Sequence, residues 1–409
     1  MKRISIAQRP QWKTRVEALG LDFHTTESKY YWVEDAAYVF EPHEIDEIQA
    51  ATLELHRLCM EAVEFVIQKN RFKHLAIPES AIPLITASWE ENDPTLYGRF
   101  DLSLAPGEPP KMLEYNADTP TALLESSVIQ WHWIEEQTAV LGQGADQFNF
   151  IHEQLIATFK DYRQYFMKPG ERFHFACVTE SSEDLNTVEY LRDCARQAEI
   201  PSRFIYLEDI GWNGEKFVDL EMDPILHLFK LHPWETVLRE PFAPHFLKKG
   251  LRVTEPPWKM VLSNKAILPI LWEMFEGHPN LLPTYFEPGP LGRKYVKKPI
   301  FSREGANITI VDEDQTVASE GIYGEEGHIY QKFAPLPRFD GNYAMVGSWI
   351  VADEACGICV RESNGLITDN LSRFVPHYFL TESEAPSTGL LSKLVSNLGR
   401  LKAGIRWKA

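Results

Sequence analysis

The sequence predicts an α+β protein with three subdomains around one cleft. Three observations predict it. A long helical pattern at residues 42–69 precedes an alternating strand pair at 97–116, a strand–helix–strand unit starts near residue 173, and alternating strands run through 295–351. The approximate division is 1–168 for helices and a polar hairpin, 169–250 for an α/β unit, 251–380 for a second sheet with a flap, and 381–409 for a basic tail, all within one domain spanning 1–409.

The first strong element is a helix from Pro42 to Lys69. Ile45, Ile48, Ala51, Leu53, Leu55, Leu58, Ala62, Phe65 and Val66 recur there at helical spacing. The hairpin comes next. In Tyr97–Leu104, Arg99, Asp101 and Ser103 point one way, and Phe100, Leu102 and Leu104 the other. In Lys111–Asn116, Glu114 and Asn116 share a face, with Leu113 and Tyr115 opposite. The Pro- and Gly-rich segment Ala105–Pro110 reads as the turn. Closing the hairpin with Leu104 across from Lys111 sets Asp101 across from Glu114, and Arg99 across from Asn116.

Two carboxylates opposed on a strand pair repel each other, so a cation is expected between them. Oxygen donors with no His or Cys nearby favour a hard ion such as Mg²⁺, which normally keeps company with phosphates. The hairpin therefore reads as a metal–nucleotide site with an arginine beside it. A surface hairpin with solvated charges is the plainer alternative.

Beyond the hairpin, Thr119–Trp133 reads as a helix capped at Thr119 or Thr121, and 148–165 as another. Phe173–Val178, a helix through Tyr190, Cys194 and Ala198, and Arg203–Leu207 form a βαβ unit. Its loop lies at the C-terminal strand edge, where such units bind ligands. Glu183 and Asp184 in that loop either hold an ammonium group or favour the helix N-terminus. Pro224–Trp234 adds a strand, and the Trp234-Glu-Thr236 that ends it has no legible chemistry. Ser263–Phe275 is an amphipathic helix despite Pro269. The strands Tyr295–Phe301 and Asn307–Val311 flank a flap at Ser302–Ala306, and Ile329–Phe333 and Tyr343–Val351 continue the sheet.

Lys265 and Lys297/Lys298 suit phosphates as point charges, or else face solvent. Arg361 pairs with a carboxylate or phosphate, or makes a surface ion pair. Cys356-Gly-Ile-Cys359 sits in a strand–turn–strand pattern with no second Cys or His pair, and so reads as packing rather than as a redox or zinc site.

Composition narrows the class. The chain has 409 residues, 44% hydrophobic and 12% aromatic, enough for a substantial core. A net charge of −18 argues against nucleic-acid binding. No segment has the apolar length of a membrane span or of a signal-peptide core. Five scattered cysteines suit reduced thiols, and the expected location is cytoplasmic.

Arg99-Phe-Asp101, Glu114-Tyr-Asn-Ala-Asp118 and Asn264-Lys-Ala-Ile-Leu-Pro-Ile-Leu-Trp272 together resemble the synthetase domain of glutathionylspermidine synthases, in its stand-alone form without the Cys–His amidase domain. The resemblance runs to about residue 375. It implies an ATP-grasp-like fold around a central ATP/Mg cleft, and an ATP-dependent C–N ligase that works through an acyl phosphate. By that resemblance Asp101, Glu114 and Asn116 bind two Mg²⁺, Arg99 stabilises the transition state and Arg361 sits at the reacting centre. Lys265 and Lys298 contact ATP phosphates under Glu304 and Gly305. Gln331, Lys332, Phe333 and Ala334 form the adenine hinge, with Leu366, Ile367 and Thr368 near the nucleotide. Thr119, Glu183, Asp184 and Thr236 fall at positions for the peptide substrate.

Three departures stand out. Thr119 followed by Pro120 replaces a serine, Glu183-Asp184 replaces two glutamates, and Arg303 and Glu304 give the flap a different setting. The implied partners are a glutathione-like carboxylate and a polyamine-like amine. The alternatives are the same ligation on another peptide and amine, or a degenerate nucleotide-binding protein. Asp101→Ala is expected to abolish turnover and leave the fold intact. Self-association is not legible. The tail at 385–409 has five cations, no acid and an amphipathic leucine pattern, and is read as packing on the acidic body rather than on a membrane or a partner.

Overall fold

A computed structural model describes residues 1–26, 29–246, 250–313, 315–369 and 372–381. The basic tail lies outside the described residues. The long helix forms over Pro42–Lys69, as its spacing requires. Pro42 opens it, Glu41 and Glu44 make a capping box, and Asn70 ends it in the left-handed region at φ 52°. Its buried face packs on a sheet of strands and on the helix Ile267–Met274.

That sheet is the centre of the molecule. Its strand order is Arg373–Val375, Glu354–Ser363, Asn342–Val351, Tyr97–Ser103, Lys111–Asn116, with Arg338–Phe339 beside Asn342–Val351. Apolar cores cover both faces. Phe100, Leu102, Met112 and Val346 lie in one; Tyr97, Trp349, Cys359 and Phe374 lie in the other. The hairpin of range 1–168 and the strands at 342–375 thus share one sheet. Tyr97–Ser103, buried along its whole length, is joined on both edges rather than being half solvated.

The hairpin register differs from the expected one at its turn. Ser103, not Leu104, pairs with Lys111, and Leu102 pairs with Met112. A bulge at Leu113 then restores Asp101 opposite Glu114 and Arg99 opposite Asn116. Leu113 therefore leaves the core side where alternation puts it and lines the cleft instead, while Tyr115 stacks on Phe100 with centroids 4.0 Å apart.

Two helices begin later than expected. After the hairpin, a π-turn at Glu125–Ile129 leads into the α-helix Gln130–Leu141, so neither Thr119 nor Thr121 caps it. Residues 119–121 run as irregular chain across the hairpin, and the Thr121 carbonyl accepts from Arg99 instead of opening a helix. The helix predicted from Ser263 forms over Ile267–Met274 alone. Asn264 turns the entry, accepting the Ala266 N–H at 2.9 Å, and Lys265 N–H bonds the Ile300 carbonyl at 3.1 Å. Pro269 lies in the first turn, where its missing N–H costs nothing.

The βαβ unit appears as read: Phe173–Cys177, the helix Ser182–Gln197 and Ser202–Tyr206. The parallel sheet order is Arg252–Thr254, His227–Lys230, Phe173–Cys177, Ser202–Tyr206. A third sheet orders Thr284–Tyr285, His328–Lys332, Lys294–Pro299, Thr309–Asp312 and Gln315–Ala318, all antiparallel. It stands over the hairpin and carries the flap. Cys356 and Cys359 lie buried on one strand, and all five cysteines are buried and unpaired. No helix among the described residues is long and apolar enough to cross a membrane.

Candidate active site

The polar face of the hairpin gathers Arg99, Asp101, Glu114 and Asn116. Arg99 Nε donates to Asp101 Oδ1 at 2.7 Å and its Nη2 to Oδ2 at 3.2 Å, while Nη1 reaches the Thr121 carbonyl at 2.6 Å. Gly347, on the neighbouring strand, makes room for this arginine. A Cβ there would stand 2.7 Å from Arg99 Cδ and 2.6 Å from Cys359 Sγ. Asn116 Nδ2 lies 3.1 Å from Asp101 Oδ2 and 3.3 Å from Glu114 Oε1.

These contacts test the expected metal. The Asn116 amide touches both carboxylates, so turning it end for end brings three oxygens to one point. The donors are all hard oxygens, which suits Mg²⁺. Among the described residues no cluster of three or more His, Cys, Asp and Glu side chains gathers as a metal site, so two carboxylates and an amide are the donors the hairpin offers. The fit holds.

Two lysines face this ribbon. Lys265 Nζ pairs with Glu114 Oε2 at 2.9 Å and also donates to the Ser302 carbonyl. Lys298 Nζ donates to Gln331 Oε1 at 2.7 Å and to the carbonyl of the bulged Leu113 at 2.9 Å. Burial alone raises a carboxyl, but Lys265 and Lys298 outweigh it at Glu114 and bring it to about 2. Asp101 moves up, because burial outweighs the pull of Arg99. Burial also lowers Lys298 to about 8 against the pull of Glu114.

A narrow cleft of about 120 Å³ separates the hairpin from the third sheet. Asp101, Glu114, Lys265 and Lys298 line its floor. Gln331, Lys332, Phe333 and Ala334 form one wall, and Gly305 with Leu366, Ile367 and Thr368 close the top. Gly305 is held at φ +70° against the Thr368 carbonyl, where an added Cβ would come within 2.3 Å. Glu304, also at positive φ, turns toward a second, larger groove beside Glu362 and Arg373.

A small adjoining cleft holds Asn116, Thr119, Glu235, Lys265 and Arg303. Arg303 Nη1 donates to Thr119 Oγ1 at 2.9 Å and Nη2 to Glu235 Oε1 at 2.6 Å, tying the flap to the short helix Trp234–Val237. Thr236, next in that helix, is exposed and lines neither cleft. Glu183 sits at the start of Ser182–Gln197, within hydrogen-bonding reach of Thr121. Burial, then the charges of Glu125 and Asp184, raise its carboxyl to about 7, while Arg361 opposes them. Asp184 is raised by burial, and its N–H donates to the capping Ser181 Oγ at 3.1 Å. Arg361 donates to the Asp369 carbonyl at 2.8 Å, and its buried Nε has no hydrogen-bond partner among the described residues.

Several residues here were not singled out from sequence. Glu125 is buried and accepts the Tyr31 hydroxyl at 2.6 Å. A lone acid in the apolar run Ala122–Ile129 was the available signal. Asp118 accepts from Lys230 at 3.2 Å and from the Trp234 N–H at 2.8 Å, anchoring the hairpin exit to the parallel sheet. The partners of Arg303 come from segments far apart in the chain and left no local pattern.

Comparison with solved structures places this architecture. The chain is similar to a glutathione synthetase-like effector from Globodera pallida, with TM-score 0.57 and 9% identity, over 91% of this chain and 98% of that one. At that identity the likeness is one of fold alone, and with the family model below the fold class is ATP-grasp. The chain belongs to the glutathionylspermidine synthase family, whose model, described as glutathionylspermidine synthase preATP-grasp, matches residues 3–380.

Its relatives include a Haemophilus influenzae protein provisionally named an acid–amine ligase, 41% identical over 397 residues, covering 93% of this chain and 100% of that one. Trypanothione synthetase of Crithidia fasciculata is 29% identical, over 77% of this chain and 52% of its own length. The bifunctional glutathionylspermidine synthetase/amidase of Escherichia coli is 26% identical, over 90% and 62%. The chain thus spans about half to three fifths of the length of these last two.

Proposed function

We propose that the protein is an ATP- and Mg²⁺-dependent ligase joining the carboxylate of glutathione, or a similar peptide, to spermidine or another amine. The observation that carries this reading is a cleft lined by Asp101, Glu114, Lys265 and Lys298, with Arg99 and Asn116 hydrogen-bonded to Asp101 behind it. Asp101, Glu114 and Asn116 would hold Mg²⁺, two ions by family likeness, which when bound neutralises charge on the transferring phosphoryl group.

The chain's own residues do the rest. Lys265 and Lys298 fix the phosphates as point charges, and the walls at 331–334 and 366–368 take the nucleoside. A carboxylate oxygen of the peptide bonds to the γ-phosphorus, the bond to the leaving oxygen breaks, and ADP departs. The amine then attacks the acyl carbon, loses a proton and expels phosphate. Arg99 would steady the charge on the transferring phosphoryl group, and Arg99 with Arg361 the tetrahedral oxyanion of the second step. The flap with Gly305 excludes water from the acyl phosphate. By family likeness Thr119, Glu183 and Asp184 would take the peptide, while Thr236, exposed outside both clefts, would meet only a substrate that extends past them.

Measuring ADP release with glutathione and spermidine, against ATP alone, tests this. Acceptor-dependent release is expected. A second reading keeps the chemistry and changes the acid and the amine. It is favoured by Thr119-Pro120 and Asp184, where the chain departs from the family pattern. Acceptor-dependent release with other peptides and amines alone would select it. Nucleotide binding without release under any pair would mark a degenerate protein.

A further inference from the structure

A groove of about 1020 Å³ lies apart from the ligase cleft and shares no lining residue with it. It runs between the helices Gln130–Leu141, Ile151–Phe166 and Ser182–Gln197. Its floor is apolar, with Leu124, Val128, Phe150, Tyr190 and Trp131, the last of these 38% exposed. Its walls carry five acids: Glu135, Asp146, Glu153, Glu189 and Asp193. No step of the proposed reaction uses this surface.

The chain leaves the described structure at its rim. Strand His377–Leu380 pairs with Ala145–Asp146, Phe379 standing opposite Asp146, itself a groove residue. Thr381 N–H donates to the Gly144 carbonyl at 2.8 Å, and its Oγ1 donates to the same oxygen at 3.0 Å. The sequence beyond this point is cationic and apolar: Lys393, Arg400, Lys402, Arg406 and Lys408 with no acid after Glu384, and Leu390, Leu391, Leu394, Val395, Leu398 and Leu401. We propose that residues 385–409 dock in this groove, cations on its acidic walls and leucines on its apolar floor. Lys393 is 12 positions beyond Thr381, a tether of up to about 40 Å when extended, ample to reach the walls from the rim. Opposite charges held at the end of a short tether meet at high effective concentration, which favours this chain's own tail over a second copy.

The test uses the full 409-residue protein at low salt and high dilution. Carbodiimide cross-linking should join Lys393, Lys402 or Lys408 to Glu135, Glu153, Glu189 or Asp193 within one chain. Trypsin should cut after Lys393 and Arg400 at least tenfold more slowly than in the variant Glu135→Lys/Asp193→Lys, and high salt should erase the difference. The cross-link map on the unaltered chain decides the matter even if the double variant folds poorly. Equal cutting rates in a folded variant overturn the proposal. So do cross-links that form only between copies, or protection that needs anionic vesicles.

Discussion

Asp101 is 3% exposed and spends both carboxylate oxygens on Arg99. Removing it strands a buried guanidinium, a loss on the order of 3–5 kcal/mol, so Asp101→Ala tests folding as much as chemistry. Asp101→Asn keeps the shape and one acceptor. It should cut ADP release at least a thousandfold in protein that circular dichroism shows to be folded. Its urea midpoint should fall between those of the parent and Asp101→Ala, because Arg99 keeps an acceptor but loses its counter-charge. Near-normal release would refute the metal assignment. Glu183 offers a second test. Its raised carboxyl, at about 7 against an ordinary 4.5, keeps its proton in the fold where the unfolded chain has lost it. Its contribution is therefore full below about pH 4.5 and lost as pH rises through 7. Glu183→Gln should flatten the stability–pH curve between about pH 5 and 8. Above about pH 7 the variant should exceed the parent by on the order of 1–3 kcal/mol in urea unfolding.

At the scale of elements, the flap and the hairpin control the cleft. Gly305 has no room for a Cβ beneath the Thr368 carbonyl, and its φ of +70° strains any other residue. Gly305→Ala should hold the flap off the 366–368 segment. Nucleotide KM should rise at least tenfold, and thermal stability without nucleotide should fall modestly, because the backbone strain is present in either state. The hairpin depends on the Phe100–Tyr115 stack beneath it. Phe100 is fully buried, and Phe100→Ala should cost about 3–5 kcal/mol by denaturant titration. The helix Pro42–Lys69 and the βαβ unit were legible because apolar spacing alone fixes them. The bulge at Leu113 was not, since one extra residue changes no local propensity and shows only in the pairing of two strands.

At the scale of the whole molecule, the cleft is assembled from three sheets. The hairpin supplies carboxylates, the third sheet supplies Lys298, Gln331 and the flap, and the parallel sheet anchors the far side through Lys230, Asp118 and Trp234. Nucleotide with Mg²⁺ should therefore raise Tm by bridging these parts, and EDTA should abolish the rise. A shift unchanged by EDTA would place the nucleotide away from Asp101 and Glu114.

Sequence by itself determined the helix at 42–69 and the parallel unit after 173, because periodicity is a local constraint; it named the meeting of Asp101 with Glu114, which the bulge at Leu113 brings about. It also carried the family strings at 114–118 and 264–272. Only the tertiary structure decided that Arg303 bridges Thr119 and Glu235, that Glu125 stands under Tyr31 and beside Glu183, and that Thr236 faces solvent. The reason is physical. Charge pairing and burial depend on neighbours tens or hundreds of positions away, and no pattern within one segment records them.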